Sequence, residues 1–360
     1  MTTVEPPAAP AEEPVEFGDR MLGILNDGML ALMISVGHKT GLFDALAVLP
    51  PATSARIAGA AGLDERYVRE WLAAMTTGRI VDHDSRTSTF SLPPDRAALL
   101  TRTAGIDNLA IQAQYVGLLA TVEDQVVECF QHGGGVPYSA YPKFQALMAE
   151  DSGAVHDAAL VDEILPLVPG LTSRLERGID VADVGCGSGH ALNLIGKAFP
   201  ASRFVGFDIS EGALDAGRAE ALREGLSNVR FERRDAARLD EAEQFDLVTT
   251  FDSVHDQARP DLMLSGIARA VRSGGVYLCV DIAASSDLQD NMAHPLGTFL
   301  YTVSCLHCMT VSLADGGMGL GTMWGEQLAR QMITDAGFSS VELRHIDGDI
   351  VNSYYVASKD

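Results

Sequence analysis

The chain has 360 residues, of which 47% are hydrophobic, and its formal net charge is -23. A chain of this length can bury a large core and exceeds one typical domain, so two domains are expected. The negative charge repels phosphate backbones and anionic lipid head groups, which argues against nucleic acid or a membrane surface as the main partner.

The N-terminal stretch MTTVEPPAAPAEEPVEFGD is acidic and rich in proline and alanine. A secretory signal would begin with basic residues and continue with an apolar segment. We therefore predict a disordered tail over residues 1–20 and a cytoplasmic protein. The cysteines are few and irregularly spaced, which fits a reducing compartment. No uninterrupted apolar run of about 18 residues occurs, so no membrane span is predicted.

Residues 21–105 carry the pattern of a winged helix. Apolar residues recur at helical spacing from residue 21 to residue 49, which predicts short helices. A helix, a turn at Gly62, a second helix with Asp64 as its N-cap, and two strand-like pieces, RIVDHD and STFSL, come next. Helix, turn, helix and hairpin together are typical of a winged helix. We predict that this domain mediates dimerisation and helps to cover a substrate.

DNA binding is the other function that this motif serves. The basic residues on or beside its second helix are interleaved with acids: Arg66, Arg69 and Arg79 against Asp64, Glu65 and Glu70. Such mixed charge on an acidic chain makes a poor phosphate-binding surface. We expect no nucleic-acid partner and keep a DNA-binding regulator as the alternative.

Residues 106–178 are expected to be a helical linker that covers a pocket, interrupted by the loop HGGGVPYSAYP. From residue 179 onward short apolar runs alternate with helical stretches, which is typical of βαβ units and a parallel sheet. We predict an α/β, Rossmann-like domain with a seven-stranded sheet over residues 179–360. Its long interruption over residues 283–324 is expected to form a lid.

The segment VADVGCGSGH, residues 181–190, is predicted to be a strand followed by a glycine turn. Gly185, Gly187 and Gly189 would allow a ligand to approach the backbone. The dinucleotide pattern G-x-G-x-x-G fails because its last position is His190. The carboxylate of Asp183 would repel a pyrophosphate and attract an ammonium group.

The next two predicted strands also end in acids. Asp208 follows RFVGF, where a carboxylate can bind both hydroxyls of a ribose, and Asp235 follows the third strand, near an exocyclic amine of adenine. Acids after three consecutive strands suit a nucleoside that carries positive charge instead of phosphate. S-adenosylmethionine is such a molecule.

The motifs VADVGCGSG, FVGFD, RRDAARL, FDLVTTFDSVHD and RSGGVYL, in this order, resemble those of class I S-adenosylmethionine-dependent methyltransferases. With the winged-helix-like part and the GGGVPY loop, the whole chain is similar to a group of actinobacterial small-molecule methyltransferases. The resemblance implies a donor site at Asp183, Gly185, Cys186, Gly187, Gly189, Asp208, Ile209, Asp235, Ala236 and Phe251.

His255 matches the position of the general base in similar small-molecule O-methyltransferases. An imidazole titrates near neutrality and could deprotonate a hydroxyl as the methyl group is transferred. Asp256 could orient that imidazole or cap the next helix. The relatives usually show tryptophan after this pair, whereas Gln257 stands here, so a purely structural role for His255 stays open.

The lid and the helix after the glycine loop supply apolar and aromatic side chains, which suit a hydrophobic or aromatic acceptor. The substrate residues expected on this basis are Tyr138, Phe144, Met148, Tyr301, Met309 and Trp324. The segment CLHCM could suggest a metal site, but its spacing is not that of a zinc knuckle, and we predict no bound metal.

The sequence thus predicts a cytoplasmic, homodimeric methyltransferase that uses S-adenosylmethionine to methylate a small apolar or aromatic acceptor, with O-methylation expected. The alternatives are a winged-helix DNA-binding regulator that senses S-adenosylmethionine and an inactive protein that only carries it.

Overall fold

The computed structural model describes residues 16–360. Most of the predicted tail, residues 1–15, lies outside the described residues, and the first helix already begins at Phe17. The chain divides into two compact units, the first ending at Val116 and the second spanning Gly117–Asp360.

The first unit contains a helical winged-helix arrangement. Its elements are α1 (Phe17–Thr40), α2 (Leu42–Val48), α3 (Ser54–Ala61), α4 (Glu65–Thr77), β1 (Asp82–Asp84), β2 (Thr89–Ser91) and α5 (Pro94–Leu100). Asp64 caps α4 as predicted, since its Oδ1 accepts from the backbone N–H of Arg66 at 2.9 Å. Strands β1 and β2 form the expected antiparallel hairpin.

The prediction of short helices at the start of this unit is wrong for α1, which is one helix of 24 residues. It continues until Gly41, whose φ of 72° ends it in the left-handed conformation that glycine adopts without strain. Gly37 on α1 allows close packing with α4: a Cβ there would lie 2.5 Å from the Trp71 ring. The Trp71 indole donates to the Met33 carbonyl at 2.8 Å.

The second unit is an α/β domain. Helix α6 (Ala113–Leu119) lies at the boundary, and the other helices are α7 (Glu123–His132), α8 (Phe144–Ala159), α9 (Leu171–Arg177), α10 (His190–Ala198), α11 (Glu211–Arg223), α12 (Pro260–Ala270), α13 (Gly297–Val303), α14 (Met309–Ala314) and α15 (Gly325–Asp335). The strands are β3 (Asp180–Val184), β4 (Arg203–Asp208), β5 (Val229–Arg233), β6 (Phe245–Phe251), β7 (Val271–Ile282), β8 (Ser340–Arg344) and β9 (Asn352–Ser358).

These strands form one seven-stranded sheet in the order β5-β4-β3-β6-β7-β9-β8. The five strands from β5 to β7 are parallel, and β9 pairs antiparallel with both β7 and β8. The prediction of a Rossmann-like sheet is confirmed. The strand order reverses at β3, so the carboxyl ends of β3 and β6 flank the crevice where such sheets bind ligands.

Alternate residues of each strand supply the cores on the two faces of this sheet. Ala182 and Val205 pack with the apolar sides of α12 and α15, whereas Val181 and Phe204 pack with α9, α10 and α11. This alternation follows from the two-residue period of a strand. It fixes the sheet between two helical layers and leaves the carboxyl ends of the strands for the connecting loops.

The segment 283–324 is largely helical. A 3-10 turn (Asp290–Ala293), α13, a π-helical turn (Ser304–Cys308) and α14 follow one another. By length and composition alone, Gly297–Ala314 and α1 could each cross a membrane. Half of the Gly297–Ala314 segment is buried within the protein. Helices in the core of a protein can be as long and as apolar as a membrane-spanning helix, so length and composition alone are weak evidence for a membrane span.

Candidate active site

The glycine turn after β3 requires glycine at each of its three predicted positions. Gly185, Gly187 and Gly189 have φ values of 74°, 53° and 70°, which side chains rarely adopt. A Cβ on Gly189 would lie 2.2 Å from the ring of Phe231, and one on Gly185 would lie 2.5 Å from Ser253. A Cβ on Gly187 would meet no atom within 4 Å. The backbone is thus approachable at Gly187.

Asp208, at the end of β4, lies beside this turn. Its Oδ2 accepts from the Gly187 N–H at 2.9 Å, and its Oδ1 accepts from the Ser210 N–H at 2.8 Å. The next residue, Ile209, is 64% exposed, which is high for a large apolar side chain. A carboxylate next to an uncovered apolar surface is the pairing that a ribose and its base require.

Asp235, after β5, caps the 3-10 turn Ala236–Arg238 by accepting from the Ala237 N–H at 3.0 Å. The strands β5, β4 and β3 are neighbours in the sheet, so Asp235, Asp208 and Asp183 lie in a row at one edge. The sequence-based rule that parallel strands end at the same edge therefore brings these acids together.

Asp183 is itself buried, with 1% of its surface exposed. Loss of solvent raises the pKa of its carboxyl to about 7, although a hydrogen bond from the Thr249 hydroxyl at 2.9 Å opposes the shift. A buried carboxyl of this kind changes its charge readily when a cation arrives. The sequence placed a carboxylate here for an ammonium group, and the structure adds that this carboxyl is buried.

Asp252, which sequence reasoning did not single out, lies at the carboxyl end of β6. Its φ of 50° is unusual for a residue with a side chain, and such strain concentrates at functional sites. Its Oδ1 is buried without a hydrogen-bonding partner among residues 16–360. Loss of solvent and the charge of Asp281 raise its pKa to about 7. Asp252 is thus a second acid at the crevice, half-buried and with one carboxyl oxygen cut off from water.

Phe251, the residue before it, packs edge-to-face on His156 of α8, with ring centroids 4.9 Å apart. Burial lowers the pKa of His156 to about 4, and the neighbouring charge of His190 adds to the shift. The imidazole is therefore neutral at physiological pH and serves here as an apolar cover of Phe251.

His255 is buried, and its Nδ1 lies 2.7 Å from Oδ1 of Asp281, the penultimate residue of β7. Burial opposes the charged imidazole, but the charge of Asp281, with help from Cys308, outweighs it and raises the pKa of His255 well above its ordinary value. The same Asp281 oxygen accepts from the Ile282 N–H at 2.8 Å and from the Trp324 indole at 3.0 Å. This carboxylate is held by three donors.

Two of our expectations change at this point. The partner of the imidazole is Asp281, whereas Asp256 accepts from the Gln257 side chain at 3.1 Å. Loss of solvent raises the pKa of Asp256 to about 6. Trp324, expected to contact substrate, is 3% exposed and directs its indole N–H at Asp281. Asp281 stands at the end of the predicted strand GVYLCVD. The rule that acids at the carboxyl ends of parallel strands face the ligand, which we applied to β3, β4 and β5, would have identified it from the sequence.

Aromatic side chains from the glycine loop, α8 and the π-helical turn form a cluster around His307. Phe144 stacks on the imidazole at 3.5 Å between centroids, and Tyr138 and Tyr141 meet it edge-on at 5.3 and 4.7 Å. Burial raises the pKa of the Tyr138 hydroxyl, and the nearby charges of Asp256 and Asp208 add to the shift.

Gln145, next to Phe144 on α8, donates to the Ser210 hydroxyl at 2.9 Å, and the Ser210 N–H donates to Asp208. Ser312 on α14, which follows the π-helical turn, donates to the Gln257 carbonyl at 2.7 Å. These contacts bring the cluster close to Asp208 and to the loop that carries His255.

The remaining predicted substrate residues are more scattered. Met148 lies on α8 and Met309 begins α14. Tyr301 is 37% exposed, and its hydroxyl accepts from the Asn291 side chain at 3.0 Å. From the segment CLHCM, His307 belongs to the aromatic cluster. Among residues 16–360, no group of three or more His, Cys, Asp or Glu side chains that could hold a metal ion is found.

Comparison with known protein families identifies both units. Residues 28–102 match the family described as "Rv2258c-like winged HTH domain", and residues 175–344 match "Methyltransferase domain". Human N-acetylserotonin methyltransferase, solved with SAM, superimposes with a TM-score of 0.71 at 16% identity, over 98% of this chain and 100% of that one. This similarity establishes the fold.

Two curated relatives match shorter segments. A tRNA (guanine-N(7)-)-methyltransferase from Porphyromonas gingivalis is 45% identical over 60 residues, which are 17% of this chain and 25% of the relative. A fatty-acid O-methyltransferase from Mycolicibacterium smegmatis is 28% identical over 113 residues, 31% of this chain and 40% of the relative. The chain thus spans well under half the length of either. It pairs an N-terminal winged helix-turn-helix domain with a C-terminal domain of the class I methyltransferase fold.

Proposed function

We propose that this protein is an S-adenosylmethionine-dependent methyltransferase (EC 2.1.1.-) that methylates a hydroxyl group on a small apolar or aromatic acceptor. One observation carries the proposal: the buried His255–Asp281 pair lies in the same domain as the glycine turn. His255 follows β6, Asp281 lies near the carboxyl end of β7, and the glycine turn follows β3, so all three are at the same edge of the sheet. A nucleoside-binding edge and a base beside it are the two parts that hydroxyl methylation needs.

The residues at the crevice fit the proposed cosubstrate. Asp208 would bind the ribose hydroxyls and Ile209 would pack on the adenine. Asp235 and Ala236 would face the adenine edge. Asp183 would lie near the ammonium group of the methionine part. The other donor-site residues would surround the rest of that part: Gly185, Cys186, Gly187, Gly189 and the backbone of Phe251. The buried, unpartnered Oδ1 of Asp252 is a further acceptor for that ammonium group. When bound, S-adenosylmethionine supplies a methyl group already activated by a sulfonium.

His255 would act as general base. Because its Nδ1 faces Asp281, its Nε2 is the nitrogen that would take the acceptor's hydroxyl proton as the new oxygen–carbon bond forms and the methyl–sulfur bond breaks, with S-adenosylhomocysteine as the leaving group. Asp281 would stabilise the resulting imidazolium. Trp324 and the Ile282 N–H hold Asp281 in place, so they support the base without contacting the acceptor. Asp256 would contribute through its charge at the crevice.

The first test is calorimetry with S-adenosylhomocysteine, with NAD as the control ligand. We expect heat with the former and none with the latter; the opposite result would overturn the proposal. The second test is transfer of labelled methyl to 2-naphthol. His255→Gln should lower kcat at least about 100-fold, since general-base catalysis contributes about that much, while the affinity for S-adenosylhomocysteine stays the same.

We further propose that the protein is a cytoplasmic homodimer. The described cysteines are all free, which suits a reducing compartment. Large apolar side chains remain exposed along α1, at 59% for Leu25 and 66% for Met29, and a second copy of this chain would cover them. Sedimentation should give a dimer that Leu25→Glu with Met29→Glu converts to a monomer. A monomeric wild-type protein would contradict this proposal.

The charge pattern of α4 supports a protein that does not bind DNA. Arg66 pairs with Glu70 at 2.5 Å and Arg69 with Glu65 at 3.5 Å, so carboxylates on the same helix already neutralise these arginines. Such a helix provides little charge for phosphate contacts. A gel shift at low salt, with and without S-adenosylmethionine, should show no retarded DNA. A retarded band would favour the regulator instead.

A further inference from the structure

His307 stands out among the buried polar groups of the methyltransferase domain. Its side chain is fully buried, and neither Nδ1 nor Nε2 has a hydrogen-bonding partner among residues 16–360. Buried polar groups in folded proteins are nearly always paired, because an unpaired one loses its hydration without compensation. An imidazole with both nitrogens unpaired is therefore a feature that needs a reason.

The side chains around His307 pack against its ring without forming hydrogen bonds to its nitrogens. Phe144 lies parallel to the imidazole, with 11° between the ring planes, and Tyr138 and Tyr141 approach at steep angles. The Tyr141 hydroxyl donates to the Leu306 carbonyl at 2.5 Å, which anchors the backbone next to His307. Three aromatic rings thus fix the imidazole plane and leave its nitrogens for another group.

The backbone around His307 supports a ligand-binding role independently. Residues Ser304–Cys308 form a π-helical turn within an otherwise α-helical stretch, and such turns are frequent at functional sites. Gly321 lies between this turn and the proposed base: its N–H donates to the His255 carbonyl at 3.1 Å, and a Cβ on it would lie 2.2 Å from the hydroxyl oxygen of Ser304. His307 is therefore close to the proposed base.

The ring is also electrically neutral. Burial lowers the pKa of His307 to about 3, and the charge of His255 adds to the shift. A neutral imidazole has one donor and one acceptor nitrogen. It can pair with an uncharged hydroxyl or carbonyl, but it offers no charge to bind an anion.

We propose that His307 is a specificity-determining residue that hydrogen-bonds to a second, uncharged polar group of the acceptor. The acceptor would then be a flat aromatic molecule with two neighbouring polar groups. One would be a hydroxyl that meets His255, and the other a hydroxyl or carbonyl that His307 binds between the rings of the cluster. This inference rests on the proposed function and names the substrate class of the same site.

The test compares two probes of the same apolar size, 2,3-dihydroxynaphthalene and 2-naphthol, by calorimetry on the protein loaded with S-adenosylhomocysteine. The wild-type protein should bind the diol about tenfold or more tightly than the mono-ol, since one hydrogen bond to an otherwise unpaired buried group has about this effect. His307→Phe, which keeps an aromatic ring against Phe144, should reduce this ratio to within about twofold. His307→Gln should restore part of it.

Cys305→Ala, on the same π-helical turn, is the matched control and should keep the wild-type ratio. A second readout is the ¹⁵N resonances of the His307 ring, which should shift with the diol and stay unchanged with 2-naphthol. Equal affinities in the wild-type protein, a preference that survives in His307→Phe, or no binding of the diol would each overturn the proposal.

The two proposals fail separately. Absence of heat with S-adenosylhomocysteine contradicts the methyltransferase function. The ratio of the two probes can still be measured on the protein alone, where it reports on His307.

Discussion

At the scale of single residues, His307 gives the protein a specific response to acid. Its folded pKa of about 3 is depressed by burial, whereas the unfolded side chain titrates near 6.5. Below pH 6.5 the His307 side chain binds a proton in the unfolded chain but stays unprotonated in the folded chain. The stability that this residue contributes is therefore present above pH 6.5 and is lost as the pH falls toward 3.

We predict that His307→Phe removes this loss. When the pH falls from 7 to 5, the free energy of unfolding of the wild type should decrease by about 2 kcal/mol more than that of the variant. One proton bound only by the unfolded chain changes this free energy by roughly 1.4 kcal/mol per pH unit below pH 6.5. Urea denaturation at both pH values measures it, with Cys305→Ala as the control. A difference between wild type and variant that is independent of pH would show that His307 titrates normally.

Asp183 responds in the opposite direction. Burial raises its folded pKa to about 7, so the stability it contributes is present below its unfolded pKa near 3.9 and is lost as the pH rises through about 7. A ligand with an ammonium group favours the ionised carboxylate. Binding at a pH below 7 must then release a proton, whereas above pH 8 the carboxylate is already ionised.

We predict that S-adenosylhomocysteine binds more tightly as the pH rises from 5.5 to 8 and releases up to about one proton per site near pH 6. Calorimetry in two buffers with different ionisation enthalpies counts the protons. Asp183→Asn should lower the affinity and reduce the release, whereas Asp215→Asn, an exposed acid on α11, should change neither. Proton uptake on binding would contradict this assignment of Asp183.

At the scale of elements, the turn between β3 and α10 shows two reasons for glycine at neighbouring positions. Gly187 and Gly189 both have positive φ, so a side chain at either costs about 1–2 kcal/mol of backbone strain. Only at Gly189 would the new Cβ also collide, with the ring of Phe231 on β5. That contact adds the cost of overpacking, about 1–3 kcal/mol.

We predict that Gly189→Ala destabilises the protein by about 2–4 kcal/mol and Gly187→Ala by only about 1–2 kcal/mol. Urea denaturation without ligand separates the two variants. Equal losses would mean that β5 moves away from the turn without cost. The sequence predicted glycine at both positions from their approach to a ligand, but the contact with Phe231 depends on how β5 lies beside β4.

At the scale of the whole molecule, the proposed base draws on segments far apart in the chain. His255 follows β6, Asp281 lies one residue before the end of β7, and Trp324 precedes α15. The charge of Asp281 outweighs burial and keeps the pKa of His255 well above its ordinary value. A general base must be unprotonated, so activity should rise with pH along a limb above 6.5.

We predict that Asp281→Asn moves this limb toward acid by at least about one pH unit, because it removes the charge that raises the pKa of His255. The kcat of the variant should also fall, because the imidazolium formed in the reaction loses its partner. The kcat of wild type and variant, measured from pH 5 to pH 10 with 2-naphthol, checks both effects. If the rise of kcat with pH occurs at the same pH in Asp281→Asn as in the wild type, a group other than His255 controls it.

The sequence by itself determined the α/β sheet, the winged helix and the acids at the strand ends. These follow from local periodicity and from the rule that parallel strands end at one edge, which needs no knowledge of side-chain contacts. It also pointed to His255 and to the glycine turn.

Only the tertiary structure decided which side chains meet and which are cut off from water. It paired His255 with Asp281 instead of Asp256, directed Trp324 at that pair, and buried Asp183 and His307. Burial and charge pairing depend on residues tens of positions apart, and no local pattern encodes those distances. The protonation states, and with them the chemistry of the site, are therefore a property of the folded chain.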